Sequence, residues 1–276
     1  MNRKALEQNV LVAAILIIIF IIVMAVIIPK IVGVANEANQ KEKCKESVLI
    51  YSRAATWGLP LSDSIKCPTK YIKISTNNDY EAERTIANEM YDCWDNFGQG
   101  KQELFGTQNE DFCVVCSVIS FSGKEREISG FDEFLANEKI PTREETYLEF
   151  LTGETLENQG QQSPNADGGF SINTGKEYAV MFTYAKKSRM SIIAKTTIGA
   201  VSGAVLAVGG VILIATGIGA PVGLASLSAA AAVGMSSGFL IGSQSGSKTS
   251  EWQAAVMLVN SSDVGNIGCT YLQKTK

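Results

Sequence analysis

No histidine occurs among the 276 residues, and that absence excludes whole classes of chemistry. Ser-His-Asp and Cys-His nucleophile systems cannot be built, and no zinc site can contain imidazole. General acid–base work would fall to carboxylates, Lys, Tyr or Cys. A positive excess is missing too: 24 Lys plus Arg stand against 28 Asp plus Glu, a net charge of -4. Nucleic-acid binders ordinarily present a basic surface to phosphates, so nucleic acid is not an expected partner. There is no phosphate-binding glycine loop, and the paired acids Asp132/Glu133 and Glu144/Glu145 read as solvated helix faces. A protein without enzymatic activity is expected, with no cofactor, metal or catalytic residue.

What is present is apolar, and it is unevenly placed. Charge is absent from the 22 residues between Glu7 and Lys30, and again from the 52 residues Thr196 to Ser247. Val10 to Ile28 is almost unbroken Ile, Val, Leu, Ala and Phe. As a helix at about 1.5 Å per residue this run covers roughly 28 Å, close to a hydrocarbon core. It is longer than the apolar region of a secretory signal and has no small-residue cleavage site after it. Residues 1–32 are therefore expected to be a retained membrane anchor.

Residues 33–190 read as a cysteine-bearing α+β domain. Asn36 to Ser47 is charged and helix-friendly, and Tyr71 to Ile74 alternates as a short strand. Ile86, Met90, Cys93, Trp94 and Phe97 recur on one face of a helix from Asp79 to Phe97, which Gly98 stops. Phe112 to Phe121 reads as a strand, and Glu125 to Ile128 follows a turn. A helix from Phe131 to Asn137 and another after Pro141, capped by Thr142 and Glu145, are expected next. The Gly/Asn/Gln-rich stretch 154–176 reads as an exposed loop, and Tyr178 to Tyr184 as a strand.

Six cysteines occur: Cys44, Cys67, Cys93, Cys113, Cys116 and Cys269. An even number beyond an anchor points to disulfides, with 15 connectivities open. Four thiolates on a metal, a redox-active Cys113-Val114-Val115-Cys116 pair, and buried free thiols are the competing readings. Residues i and i+3 of a strand point to opposite faces, so Cys113 and Cys116 are expected to have different partners.

Residues 191–247, which contain the second charge-free stretch, read as a hydrophobic helical hairpin with spans at 198–216 and 222–241 and a turn at Gly217 to Pro221. Gly234, Gly238, Gly242 and Gly246 recur every four residues, and Gly199 and Gly203 repeat that spacing. On a helix this makes a flat stripe for close packing, within the chain or between copies. The tail, 248–276, is expected to return to the domain, with Ala254 to Val259 and Thr270 to Leu272 as strands.

The leader MNRKALEQ, with Arg3 and Lys4 before a Glu/Gln pair and an apolar helix, resembles an archaeal type IV pilin-like start. That resemblance implies cleavage near Ala5. KCPTKYIKI, EMYDCWDNFGQGKQELFG and DFCVVCSVISF, taken together over residues 1–130, resemble uncharacterised cysteine-containing membrane-anchored proteins of small archaea. The resemblance implies an archaeal cell-surface protein and supplies no catalytic residue.

The fold class expected is thus α+β: an N-terminal transmembrane helix, a small disulfide-braced extracytoplasmic domain and a C-terminal glycine-rich transmembrane hairpin. Lys30, Lys41, Lys43 and Lys45 outnumber Arg3 and Lys4, which opposes an outward domain. The charge rule governs short loops, however, and a large domain can be translocated regardless. The expected role is structural, adhesive or in assembly at the cell membrane. Its partners would be the lipid bilayer and either further copies in a homo-oligomer or other membrane and surface proteins. The alternative is a pore-forming or membrane-inserting protein whose hairpin is the active element.

Overall fold

A computed structural model describes residues 3–57, 65–102, 104, 112–153, 171–186, 204–208, 211–215, 238–244, 252–267, 269 and 271–273. The chain divides into two compact units, Met1–Lys43 and Cys44–Lys276. The first consists of the beginning of helix α1 (Arg3–Thr56). Leu16 to Met24, Ile27 and Ile28 are each between 39% and 61% exposed on it. Consecutive residues step about 100° around a helix, so this stretch is apolar on every side. Side chains in the apolar run are described at 16–25, 27 and 28, and among the described residues no helix is long and apolar enough to cross a membrane.

The second unit is an α+β fold around a mixed sheet. Strand β1 (Lys70–Ile74) runs parallel to β2 (Phe112–Phe121). β2 is antiparallel to β5 (Tyr178–Lys186), which is antiparallel to β9 (Trp252–Asn260). The sheet continues through β8 (Gly238–Gln244), β7 (Val211–Ala215) and β6 (Ala204–Val208). β10 (Tyr271–Gln273) lies parallel to the first residues of β2, on the same edge as β1. A separate ribbon joins β3 (Glu127–Ile128) to β4 (Ile172–Asn173).

β2, β5 and β9 are apolar in nearly every position because both sheet faces are buried there. Phe112, Val114, Val180, Phe182, Tyr184, Val256 and Leu258 form one core with the helices. Cys113, Val115, Ala179, Met181, Ala255, Met257 and Val259 form a second, with Ile267. Helix α2 (Asp79–Asn96) covers the first core, burying Ile86, Met90, Cys93 and Trp94. Phe97 follows it and stacks on Phe182 with ring centroids 4.2 Å apart. α3 (Phe131–Asn137) and α4 (Tyr147–Thr152) add Phe131, Leu135, Tyr147 and Leu151. At Gly100 φ is +67°, and a Cβ there would lie 2.7 Å from Trp94 Cη2 and 2.8 Å from Ala254 Cβ. Only glycine lets the chain turn so close under the tryptophan.

Three sequence expectations are corrected. The capping box belongs to Thr146 and Glu149 at the start of α4, whereas Thr142 sits in a turn at φ 70°. Asp132 is buried in the first turn of α3 rather than solvated, where backbone N–H groups favour a carboxylate. The third concerns only residues 204–208, 211–215 and 238–241 of the helical hairpin expected over 198–216 and 222–241, the rest of which lies outside the described residues. Its described backbone is extended, as β6, β7 and the start of β8. Short apolar, β-branched runs fit either state, and here neighbouring strands satisfy the backbone: β6 pairs with β7, β7 with β8 and β8 with β9. Gly238 and Gly242 therefore lie in a strand, where four residues span roughly 13 Å and form no helical stripe. Gly199, Gly203, Gly234 and Gly246 lie outside the described residues, as does 154–170 of the expected loop.

Candidate functional site

All six cysteines are paired, two of the pairs at the β1–β2–α2 corner and the third on the opposite face of β2. Cys44–Cys67 ties the last turns of α1 to the segment entering β1, with Cα atoms 4.5 Å apart. Cys93–Cys116 ties α2 to β2 at 5.7 Å. Cys113–Cys269 ties the other face of β2 to the tail at 6.0 Å. The β2–β5 register slips between Val115 and Ser117, so Cys116 is the extra residue of a bulge. Cys113 faces the second core and Cys116 the helix side. The two sulfurs of the Cys113-Val-Val-Cys116 segment thus serve opposite faces, and neither a redox pair nor a thiolate metal site is formed from them.

The same bulge places Ser117, fully buried, on the helix side of the sheet beside polar groups. Lys70 Nζ of β1 lies 3.2 Å from Asp92 Oδ2 and 3.6 Å from Glu89 Oε1 on α2. Burial pushes the Glu89 carboxyl up, Asp92 adds to this, and Lys70 and Ser117 oppose it. Thr69 Oγ1 donates to the Val115 carbonyl at 2.8 Å, which fixes the entry of β1 against the bulge. A cleft of about 380 Å³ opens between β1 and α2. Ile72 to Thr76 line one wall, and Glu81, Arg84, Thr85 and Asn88 line the other. The spacing i, i+3, i+4, i+7 is one stripe of α2. Within it Thr76 Oγ1 donates to Glu81 Oε2 at 2.8 Å, and Tyr147 Oη donates to Asn88 Oδ1 at 2.6 Å.

At the N-terminal end of α2, Glu83 is pushed up to about 7, chiefly by burial and then by the Asp79 carboxylate. Because its folded-state pKa is raised, the folded chain holds a proton that the unfolded chain has lost between the ordinary carboxylate value and about 7. The stability contribution is complete below that window and disappears as pH rises through it; Glu89 acts in the same direction. The thermal midpoint is therefore expected to fall from pH 5 to pH 8, and Glu83→Gln to flatten that fall and raise the midpoint at pH 8. A Glu83→Gln profile parallel to the parent's over this range would contradict the assignment.

The sequence brought the cysteines forward as site residues but not Lys70, Lys73, Arg84 or Glu89. The polar stripe on α2 was present in the spacing, yet a polar helix face is usually solvated. Only the neighbouring edge strand makes a cleft of it. Among the described residues no cluster of three or more Cys, Asp or Glu could hold a metal ion. No protein-family model, curated protein or solved structure matches the chain.

Proposed function

We propose that this is a non-enzymatic, membrane-anchored surface protein whose α+β domain lies on the extracytoplasmic side and serves contact, adhesion or assembly. The observation that carries the reading is the complete pairing of the six cysteines into three disulfides. Disulfides of this kind persist in oxidising compartments and are rare in a reducing cytosol. The anchor reading is supported by the apolar run from Val10 to Ile28 and by the exposed side chains of Leu16 to Met24, Ile27 and Ile28 around α1. Exposed apolar surface of that extent is stable against lipid and costly in water. Gly238 and Gly242 lie in β8 and supply no helical packing stripe to any lateral association.

The test is made on membranes from cells producing the full chain. Alkylation without reductant is expected to add nothing to the mass, and alkylation after reduction to label all six thiols. The protein is expected to stay with the membrane in alkaline carbonate, and protease added to intact cells to remove the domain. The same mass reports cleavage near Ala5. Six thiols labelled without reductant, or release of the chain by carbonate, would overturn the reading.

A further inference from the structure

β1 is an edge strand, and the hydrogen bonding shows which of its backbone groups are spent. Ser122 N donates to the Ile74 carbonyl at 2.8 Å, and Ser120 Oγ to the Ile72 carbonyl at 3.4 Å. With Ile72 paired to Ile119 in a parallel ladder, Ile72 and Ile74 direct their backbone groups at β2. The alternate residues, Tyr71 and Lys73, direct their N–H and C=O groups away from it. Among the described residues no strand pairs with that outer side. Tyr71 is 77% exposed, and the cleft lined by Lys73 and Arg84 lies alongside. The edge is held by its disulfide neighbours: Cys67 precedes β1 and Cys116 sits in the strand behind it.

We propose that this edge binds an extended acidic peptide, which adds as a new strand outside β1 and lies in the cleft against α2. Such addition draws affinity from main-chain hydrogen bonds and specificity from alternate side chains. Ile72 and Ile74 pack toward the helix-side core, so the Tyr71 and Lys73 side chains occupy the other face of the strand. A side chain of the added peptide on the helix side meets Arg84, and one on the other side meets Lys73. The single acid of the cleft lining, Glu81, is engaged by Thr76. The Tyr80 and Tyr147 hydroxyls lie near Arg84, and the Glu138 carboxylate there accepts from Tyr80 Oη at 2.6 Å, outside the cleft lining. A cleft with two cations and one anion, in a chain of net charge -4, favours a carboxylate-bearing strand. Lys70 is engaged by Asp92 and Glu89, but a second copy of β1 would bring a second Lys73 to the same edge, and an edge lysine disfavours such self-pairing. This inference goes beyond the membrane reading and stands whether or not the chain is anchored.

The test uses the full chain in neutral-lipid nanodiscs and a fluorescent heptapeptide of alternating valine and aspartate, with its valine–lysine counterpart as control. Anisotropy is expected to show the aspartate peptide binding at least roughly tenfold tighter than the lysine peptide, the scale of one charge-assisted contact. Arg84→Glu is expected to reverse that preference. Lys73→Pro removes an outward N–H that an edge strand does not need for folding, and is expected to abolish binding with the thermal midpoint little changed. Equal binding of the two peptides, or an aspartate affinity unmoved by both substitutions, would overturn the proposal. So would a Lys73→Pro variant that loses a dimer and keeps the peptide. None of these outcomes alters the thiol and carbonate results that test the anchored reading.

Discussion

Removal of the Cys113–Cys269 bridge by the double replacement Cys113→Ala, Cys269→Ala is expected to cost about 5 kcal/mol, the largest single-bridge effect in the chain. The bridge spans 156 residues, whereas Cys44–Cys67 and Cys93–Cys116 each span 23. Loop-closure entropy grows with the logarithm of loop length, so each shorter bridge is expected to contribute about 3 kcal/mol. The long bridge also joins the tail to the strand on which β10 pairs. Denaturant unfolding of the three double variants, compared with the parent at equal detergent concentration, gives the ranking directly. A Cys113/Cys269 variant as stable as either of the others would show that the tail is held by its packing and not by the bridge.

The second large effect is expected at Phe182. Its side chain is completely buried on β5, stacked on Phe97 at an interplanar angle of 9° and 6.0 Å from Trp94 between ring centroids. Phe182→Ala leaves a cavity between the sheet and α2 and is expected to destabilise the domain by about 4 kcal/mol. The control is Tyr71→Ala on the exposed edge of β1, expected to change stability by no more than about 0.5 kcal/mol. Midpoint shifts at constant denaturant dependence measure both. A small loss at Phe182 would place the main helix–sheet contact elsewhere.

Elements with a strong local period were legible. The helix expected over Asp79 to Phe97 is α2, Asp79–Asn96, and the strand expected over Phe112 to Phe121 is β2. Separate partners for Cys113 and Cys116 followed from strand alternation alone, since the bulge begins only after Val115. Which partners they take did not follow. Cys269 lies 156 residues from Cys113, and no local pattern reports that distance's closure. The bulge was equally hidden, because it exists only as a mismatch between β2 and β5.

The charge-free stretch shows the limit most clearly. A charge-free stretch such as Thr196 to Ser247 can leave water only where its backbone hydrogen bonds are made within the protein. A helix does this within one segment and a strand does it through a neighbour, so hydropathy cannot separate the two. β9, with Ala254 to Val259 buried, is the neighbour that β8 uses. Likewise, the acids and Arg84 on α2 were readable as a polar face, but the cleft required β1 to be parallel to β2 and last in the sheet.

By itself, then, the sequence determined the apolar helix near the N-terminus, the α+β character of the middle, the buried face of α2, the opposite faces of Cys113 and Cys116 in β2, and the exclusion of histidine chemistry. These depend on residue type and on periods of a few residues, which act within one segment. Only the tertiary structure decided the disulfide pairing, the extended state of β6, β7 and β8, the bulge at Cys116 and the open edge of β1. Each of those depends on which distant surfaces meet. That is set by the free energy of the whole packed unit, and no single segment carries it.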